Sequence, residues 1–203
     1  MCNRAGPSPE ARSGGATAQA LKFEPDDQSP GGSLRHVTIY TDGGCIDNPG
    51  PGGYGVVLLY KNLRKELTGG FRRTTNNRME ILAAIAGIEA LRTKCRVTVY
   101  SDSQYLVNAI ERGWARRWQA REWWRNREER ALNPDLWARL LQLCERHEVR
   151  FRWVRGHAGN KENERCDALA RATARRRDLP QDMGYEAAAG RARSFYTELK
   201  GFR

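Results

Sequence analysis

Two aspartates end two nearly identical stretches of the sequence, and their setting could support metal-dependent chemistry. Asp42 closes the hexapeptide 37–42 and Asp102 closes 97–102, and both hexapeptides have the two-residue alternation of a β-strand. If the strands are parallel neighbours, both carboxylates emerge at one sheet edge, where open α/β sheets place their ligands. Two adjacent carboxylates repel each other, so a shared cation would keep both ionised. The alternative is two unrelated strands that end in capping aspartates.

Two further carboxylates and one histidine lie near the predicted ends of other elements. Glu80 falls near the start of a helix predicted to be apolar nearly all round, and Asp167 falls in a later helix. An ionised carboxylate under a core helix is costly unless it is paired or bound to a metal, although each residue could instead complement a helix dipole. His157 stands between glycines in a loop, unlike a histidine packed in a core.

These side chains together favour one kind of chemistry. Oxygen-only ligands select hard cations such as Mg²⁺ or Mn²⁺. Two such ions, about 3.5–4 Å apart, would activate a water and stabilise the leaving oxygen when a phosphodiester is hydrolysed. The residues therefore predict a metal-dependent hydrolysis of nucleic acid.

The elements that would position these residues follow from the apolar period and the turn signals. A loop at 43–53, dense in Gly and Pro, follows the first strand directly. Strands are predicted over residues 37–42, 54–60, 65–71, 97–102 and 150–154, with a polar turn at 61–64. Helices are predicted over residues 78–91, 103–110, 136–147 and 162–177. The first three strands would form an antiparallel meander, and a crossover helix would make the fourth strand parallel to the first.

The stretch 114–130 has an unusual composition, with four tryptophans, six arginines and three glutamates. A core helix would not carry so many charges, and a solvated helix would not carry so many tryptophans. Arginines for phosphates and aromatic faces for sugars or bases would make this stretch a nucleic-acid platform. The alternative is a helix laid on the domain, with snorkelling arginines and some core tryptophans.

Composition fits one basic globular domain with tails. The formal net charge is +11, and the excess lies in residues 35–177, because residues 1–34 carry three basic and four acidic side chains and residues 178–203 carry four of each. A compact basic domain favours nucleic acid over a membrane as its partner. Five widely spaced cysteines without a CxxC pair argue against a disulfide framework and a zinc site, and they fit a reducing cytosol.

Residues 1–34, rich in Gly, Ala, Ser and Pro, are predicted to be disordered. A transit peptide is the alternative, but four acidic residues count against it. The chain has no stretch of ~18 consecutive apolar residues and no apolar N-terminal region, so we expect a cytoplasmic protein with no membrane partner.

Four segments resemble the four motif blocks of type 1 ribonuclease H (the bacterial-type ribonuclease HI family), in the family's order and spacing: TDGGCIDNPGPGGYG, TTNNRMEILAAI, SDSQYL and VRGHAGNKENERCDALA. The resemblance covers about residues 36–186. It implies an α/β ribonuclease H-like fold, with a five-stranded mixed sheet flanked by helices. It also implies an endonuclease that cleaves the RNA strand of RNA/DNA hybrids and leaves 5′-phosphate and 3′-hydroxyl ends. We expect the protein to be a monomer.

The resemblance also assigns roles to individual residues. It implies four ligands for two Mg²⁺ ions, with Mn²⁺ as a substitute: Asp42, Glu80, Asp102 and Asp167. His157 is the loop residue that assists proton transfer or product release. Asn48, Asn76 and Gln104 match contacts in the hybrid minor groove, Thr75 matches a DNA-phosphate contact, and 114–130 matches a basic protrusion that grips the DNA strand. The remaining predicted substrate contacts are Gly43, Cys45, Asn77, Trp114, Trp118 and Arg121.

The sequence departs from the family pattern in places. Gly44 replaces a serine near the expected 2′-hydroxyl contact, and Glu128 and Glu129 dilute the basic protrusion where lysines are common. We expect three parts: an N-terminal extension 1–34, a ribonuclease H domain 35–186 and a C-terminal extension 187–203. Two rivals remain: a DNA-cleaving nuclease on this fold, which would lack the TTNNRME block, and a non-catalytic hybrid-binding module, which would have lost at least one acid.

Overall fold

The computed structural model describes residues 34–187, and a five-stranded sheet forms their centre. The predicted extensions 1–34 and 187–203 lie outside these residues, except at positions 34 and 187. The strands are β1 (His36–Cys45), β2 (Gly50–Tyr60), β3 (Leu63–Thr74), β4 (Arg96–Ser101) and β5 (Glu148–Trp153), in the spatial order β3-β2-β1-β4-β5. β1, β2 and β3 pair antiparallel, whereas β4 is parallel to both β1 and β5. The predicted mixed sheet is confirmed.

Helices cover both faces of this sheet. They are α1 (Asn76–Glu89), α2 (Gln104–Glu111), α3 (Trp114–Ala120), α4 (Pro134–Arg146) and α5 (Lys161–Ala174). On one face α1 packs against β1, β2 and α4, and nine of its fourteen residues are buried, as its apolar sequence predicted. On the other face α5 packs against β1, β2 and β3.

The stretch 43–53 is not the long loop that its glycines and prolines predicted. Residues 43–45 continue β1 and residues 50–53 begin β2, with Gly44 opposite Gly53 and Cys45 opposite Gly52. The glycines serve close packing instead: a Cβ on Gly53 would lie 2.4 Å from the backbone oxygen of Ala170 in α5. Tertiary packing therefore overrides the turn propensity of these residues.

Other boundaries shift by a few residues. The turn between β2 and β3 takes only residues 61–62, and Lys61 adopts the left-handed conformation (φ 51°) that a tight two-residue connection requires. α1 begins two residues earlier than predicted, so Glu80 lies beyond its first turn rather than within it. Thr75 is its N-cap, since Thr75 Oγ1 accepts a hydrogen bond from Arg78 N at 3.4 Å.

The cysteines and the helices of the described residues bear on the predicted absence of disulfides and of a membrane span. The four cysteines among residues 34–187 are free, as expected, whereas Cys2 lies outside the described residues. Within the same range, no helix has the length and apolar character needed to cross a membrane.

Candidate active site

The parallel pairing of β1 and β4 brings Asp42 and Asp102 to the same edge of the sheet. The register pairs Tyr40 with Tyr100 and Thr41 with Ser101, so each aspartate is the next residue after the last matched pair. The predicted parallel arrangement is thus confirmed. Asp42 Oδ1 accepts a hydrogen bond from Gly43 N at 2.7 Å, which orients its carboxylate at the strand end.

Glu80 reaches this edge because β1 and α1 touch through their backbones. A Cβ on Gly43 would lie 2.4 Å from the carbonyl carbon of Met79 and 2.6 Å from Glu80 N, so only glycine permits this approach. The Glu80 carboxylate accepts a short hydrogen bond from Ser103 Oγ. Ser103 also caps α2, because its Oγ accepts from Leu106 N at 3.3 Å. The start of α2 is therefore fixed to this edge of the sheet. We call it the acidic edge, after the four carboxylates Asp42, Glu80, Asp102 and Asp167.

Asp167 approaches the same edge from α5, on the opposite face of the sheet. Asp42 and Asp167 both line a cavity of about 210 Å³, together with Arg171 and Arg175. The Asp167 side chain is 16% exposed and forms an ion pair with Arg171, one turn further along α5. Glu80 and Asp102 lie outside this cavity, so the four carboxylates surround the strand ends from different sides.

Electrostatics links the four carboxylates. Burial, followed by the charges of Asp102 and Asp167, raises the pKa of Asp42 to about 7 despite the hydrogen bond from Gly43. Burial and the charges of Asp42 and Asp102 likewise raise the pKa of Glu80 to about 7, against the lowering effect of the Ser103 hydrogen bond. Each group is destabilised as an anion first by burial and then by its acidic neighbours.

The donors at this edge fit a hard divalent cation chemically. All four candidate ligands offer carboxylate oxygens, and added positive charge would relieve the repulsion that raises the pKa values of Asp42 and Glu80. The carboxylates are not gathered around one point: among residues 34–187 no three Asp, Glu, His or Cys side chains are arranged to hold a metal ion. Glu80, Asp102 and Asp167 are each bonded to a neighbouring donor instead.

The loop that carries His157 packs directly on Asp102. A Cβ on Gly156 would lie 2.6 Å from Asp102 Oδ2, so any larger residue here would have to displace the Asp102 carboxylate. His157 is exposed and has a left-handed backbone (φ 51°), and its charge lowers the pKa of Asp42. At the other end of the loop, Gly159 N donates to Glu164 Oε1 at 3.0 Å. The structure therefore holds the histidine beside the acidic edge.

The predicted groove contacts form a network between the β1–β2 turn and the start of α1. Asn76 Oδ1 accepts from Cys45 N at 2.8 Å, and Asn48 Oδ1 accepts from Asn76 N at 3.2 Å. Asn48 is exposed, and Asn76 is half-buried. These hydrogen bonds therefore join the β1–β2 turn to the start of α1, the helix that carries Glu80. The remaining predicted contacts on the helix starts are Thr75 and Asn77, both half-buried, and Gln104, which is exposed.

The tryptophan-rich stretch divides into a packed part and an exposed part. Trp118 is 8% exposed and packs against Tyr105 and Trp137 in the core, so the prediction that it presents an aromatic face to substrate is wrong. The reason is that α3 lies on the domain and needs an apolar anchor. Trp114 is half-buried against the same cluster. The interpretation as a helix with core tryptophans therefore holds for α3.

The exposed part follows α3. Trp124 is 36% exposed, and the Arg130 guanidinium lies 4.6 Å from its ring centroid. Trp124 and three arginines line an open cavity of about 540 Å³, the arginines being Arg121, Arg125 and Arg127. For this loop, where positive charge and one aromatic ring face solvent, the nucleic-acid platform stays a prediction.

Three further residues at the edge were missed by sequence reasoning. Ser103 holds Glu80, Trp153 Nε1 donates to the backbone oxygen of Asp102 at 3.0 Å, and Asn163 Nδ2 donates to Asp102 Oδ2 at 3.3 Å. Asn163 is 2% exposed, and its Oδ1 is a buried oxygen without a hydrogen-bond partner. The only available signal was their position at strand and helix ends, which many polar residues share.

Comparison with known proteins agrees with this geometry. The RNase H family model matches residues 35–175. A ribonuclease H of Syntrophus aciditrophicus is 64% identical over 170 residues, covering 84% of this chain and 98% of that protein. Ribonuclease HI of Synechocystis is 54% identical over 150 residues, covering 73% of this chain and 94% of that protein.

Two solved structures also align with this chain. LC9-RNase H1, described as a type 1 RNase H with the type 2 active-site motif, aligns with a TM-score of 0.63 and 32% identity, covering 77% of this chain and 82% of that one. LC11-RNase H1, solved in complex with an RNA/DNA hybrid, aligns with a TM-score of 0.53 and 25% identity, covering 68% and 96%.

The mixed sheet, its strand order and the acidic edge define the class of nucleases with a ribonuclease H fold. Within that class, the chain belongs to the ribonuclease H family, and its relatives are bacterial ribonucleases H and HI. The predicted family and enzyme class are therefore confirmed. Enzymes of this family generally depend on a divalent metal ion.

Proposed function

We propose that this chain is an endonuclease that hydrolyses the RNA strand of RNA/DNA hybrids and leaves 5′-phosphate and 3′-hydroxyl ends. The supporting observation is the acidic edge itself: carboxylates from β1, α1, the end of β4 and α5 are close enough for their charges to raise the pKa values of Asp42 and Glu80. The chain also carries an exposed arginine-rich loop after α3. The complex of LC11-RNase H1 with a hybrid supports the choice of substrate.

Asp42, Glu80, Asp102 and Asp167 would hold Mg²⁺, with Mn²⁺ as a substitute. When bound, two such ions supply an activated water and charge stabilisation of the leaving oxygen. The protein's own contribution is orientation. Ser103 fixes Glu80, while Asn163 and Trp153 fix the Asp102 side chain and backbone. These donors reduce the freedom of the carboxylates before substrate arrives.

His157 would assist proton transfer or product release. The His157 side chain is exposed, and the preceding residue, Gly156, packs on Asp102. The charge of His157 lowers the pKa of Asp42. An imidazole nitrogen can carry or accept a proton, so at this place His157 would donate a proton to a departing oxygen or accept one. The surrounding loop keeps it at the edge without burying it.

Polar residues around the edge would select the hybrid. Asn48, Asn76 and Gln104 present amides for the minor groove and for ribose 2′-hydroxyls, which distinguish RNA from DNA. Thr75, at the N-terminus of α1, would bind a DNA phosphate. The other proposed groove contacts are Gly43, Cys45 and Asn77. Arg121 and its exposed neighbours would grip the DNA backbone, with Trp114 supporting α3 from the half-buried side.

The test is cleavage of end-labelled RNA/DNA, RNA/RNA and DNA/DNA duplexes of one sequence, with Mg²⁺, with Mn²⁺ or with a chelator. We expect cleavage of the RNA strand in the hybrid only, and none in chelator. Ligation of the products would identify their 5′-phosphate and 3′-hydroxyl ends. Cleavage of DNA/DNA would favour the rival nuclease, and tight hybrid binding without cleavage would favour the binding module.

A further inference from the structure

A buried ion cluster lies at the start of α1, apart from the acidic edge. The Arg78 side chain is 4% exposed and that of Asp182 is 3% exposed. Arg78 Nε lies 2.8 Å from Asp182 Oδ2, and Nη2 lies 2.9 Å from Oδ1, a bidentate pair. On its other side Arg78 donates to both carboxylate oxygens of Asp135, at 3.0 and 2.9 Å. Asp182 lies beyond the residues 35–175 that the family model matches.

The C-terminal segment is joined to the domain through this cluster. Asp182 also accepts from Thr74 Oγ1 at 2.7 Å and from Tyr185 N at 3.0 Å. Nearby, Arg72 N donates to the backbone oxygen of Pro180 at 2.9 Å. Residues 180–186 thus lie against the end of β3. The Asp182 carboxylate accepts hydrogen bonds from Arg78, Thr74 and Tyr185.

Burying these charges is costly, and a well-packed apolar contact can hold two elements together equally well. A bidentate ion pair adds directionality, because its hydrogen bonds fix the guanidinium plane relative to both partners. The feature that most needs fixed geometry here is the junction between β3 and α1. Thr74 ends β3, and Thr75 and Asn76 follow it directly.

This junction carries the proposed substrate contacts. Arg78 N donates to Thr75 Oγ1, the proposed phosphate ligand, while Asn76 bonds to Cys45 and Asn48. Arg78 therefore contacts Thr75 through its backbone N–H and Asp182 through its guanidinium. Glu80, one turn further along, is held separately by its Ser103 bond and by the close approach of Gly43. The cluster can thus influence the substrate contacts without moving the carboxylates.

We propose that Asp182 is a positioning residue for hybrid binding: through Arg78 it fixes the start of α1, so that Thr75 and Asn76 are preorganised for the substrate. The inference rests on the proposed function, and it extends the substrate-binding machinery to residues 180–186, which pack against the end of β3. It assigns to that segment an effect on binding rather than on the chemical step.

The primary test is Asp182→Asn, which keeps the shape of the side chain and removes its charge. We expect KM for the hybrid to rise about tenfold while kcat changes less than about twofold, measured well below the melting temperature. The matched control is Glu89→Gln, which breaks the pair between Glu89 Oε1 and Arg139 Nε (2.6 Å) at the opposite end of the same helix. It should leave both constants unchanged.

A second variant disturbs the cluster without removing any charged group. A Cβ at Gly184 would lie 2.4 Å from Asp135 Oδ2 and 2.5 Å from Arg78 Nη2, so Gly184→Ala must displace these side chains. We expect the same rise in KM. Unchanged KM in both variants, even with a lower melting temperature, would overturn the proposal because the cluster would then be purely structural. Equal losses in kcat would overturn it too.

A readout on the free protein separates this inference from the proposed function. In both variants the backbone amide resonances of Thr75 and Asn76 should shift, whereas that of Asp102 should not. If wild-type protein cleaves no hybrid, the proposed function fails by itself. Unshifted Thr75 and Asn76 resonances in both variants would instead contradict positioning by Asp182, whatever the substrate.

Discussion

The acidic edge and the buried cluster at Arg78 both bring carboxylates together, yet their electrostatics are opposite. At the edge, burial and mutual repulsion raise the pKa values of Asp42 and Glu80 to about 7. In the cluster, burial also raises the pKa of Asp182, but hydrogen bonds from Arg78, Thr74 and Tyr185 outweigh it and hold the pKa below its usual value. The difference is that the cluster contains its own cation, the Arg78 guanidinium.

Asp42 and Glu80 lie beside other carboxylates, whereas the protein itself supplies the cation that pairs with Asp182. A carboxylate with its own arginine contributes to stability and to geometry. Carboxylates placed among other carboxylates oppose folding unless something positive is added. The acidic edge therefore has the character of a functional site, and the cluster has the character of a clamp.

The largest expected effect is that of Asp42→Asn. Loss of one edge carboxylate should reduce hydrolysis by more than about 10³-fold, because both metal binding and water activation depend on it. Hybrid binding should survive, as measured by fluorescence anisotropy. In chelator the variant should melt at a higher temperature than wild type, since one repelling charge is gone. Substantial residual cleavage would contradict the assignment of Asp42 as a ligand.

His157→Ala should have the next largest effect. We expect kcat to fall by ~10²–10⁴ if the imidazole moves a proton, with little change in hybrid affinity. Single-turnover and steady-state rates should be compared: a loss confined to steady state would assign the histidine to product release. Unchanged rates in both measurements would remove it from the mechanism.

The ion pair between Arg78 and Asp182 should make the folded protein less stable at acidic pH. Because the pKa of Asp182 is lowered in the folded protein, its ion pair stabilises the fold above the unfolded value of about 3.9 and is lost as pH falls through the folded value. Asp182→Asn should cost about 3 kcal/mol in unfolding free energy at pH 7. Urea unfolding at decreasing pH should show the gap between wild type and variant shrinking. A constant gap would argue against the ion pair.

Neutralising Arg121 and Arg125 to glutamine should have a smaller effect. Hybrid affinity should fall uniformly across sequences, and the slope of log K against log salt should flatten by about one for each arginine that binds a phosphate. Arg165→Gln, which removes one charge from the Arg165–Glu66 surface pair, is the net-charge control for each of the single variants Arg121→Gln and Arg125→Gln. A loss that depends on hybrid sequence would contradict a phosphate-gripping role.

The smallest effect is expected for Gly44→Ser. A Cβ at Gly44 would meet no atom within 4 Å, so the serine found in the family pattern should fit without strain. Melting temperature should stay within about 2 °C of wild type, in line with the small effect of most exposed substitutions. KM should fall slightly if the hydroxyl reaches a 2′-hydroxyl. A large loss of stability would show that the edge is packed more tightly than this geometry indicates.

Sequence reasoning succeeded where the local pattern carries the information. The two-residue alternation of β1 and β4 and the apolar sequence of α1 predicted those elements, because burial of one face or of a whole helix imposes a period. It failed at 43–53, where glycines that suggested a loop are used for close contact with α1 and α5. It also failed at Trp118, because the arginines around it hid the buried side of α3.

The sequence by itself determined the strands, the four acids and the family, since these depend on residue type and spacing along the chain. Only the tertiary structure decided which polar groups meet: Asn163 with Asp102, Ser103 with Glu80, and Arg78 with Asp182, which is 104 residues away. Such pairings depend on how helices and strands pack in space. Local sequence carries no record of them.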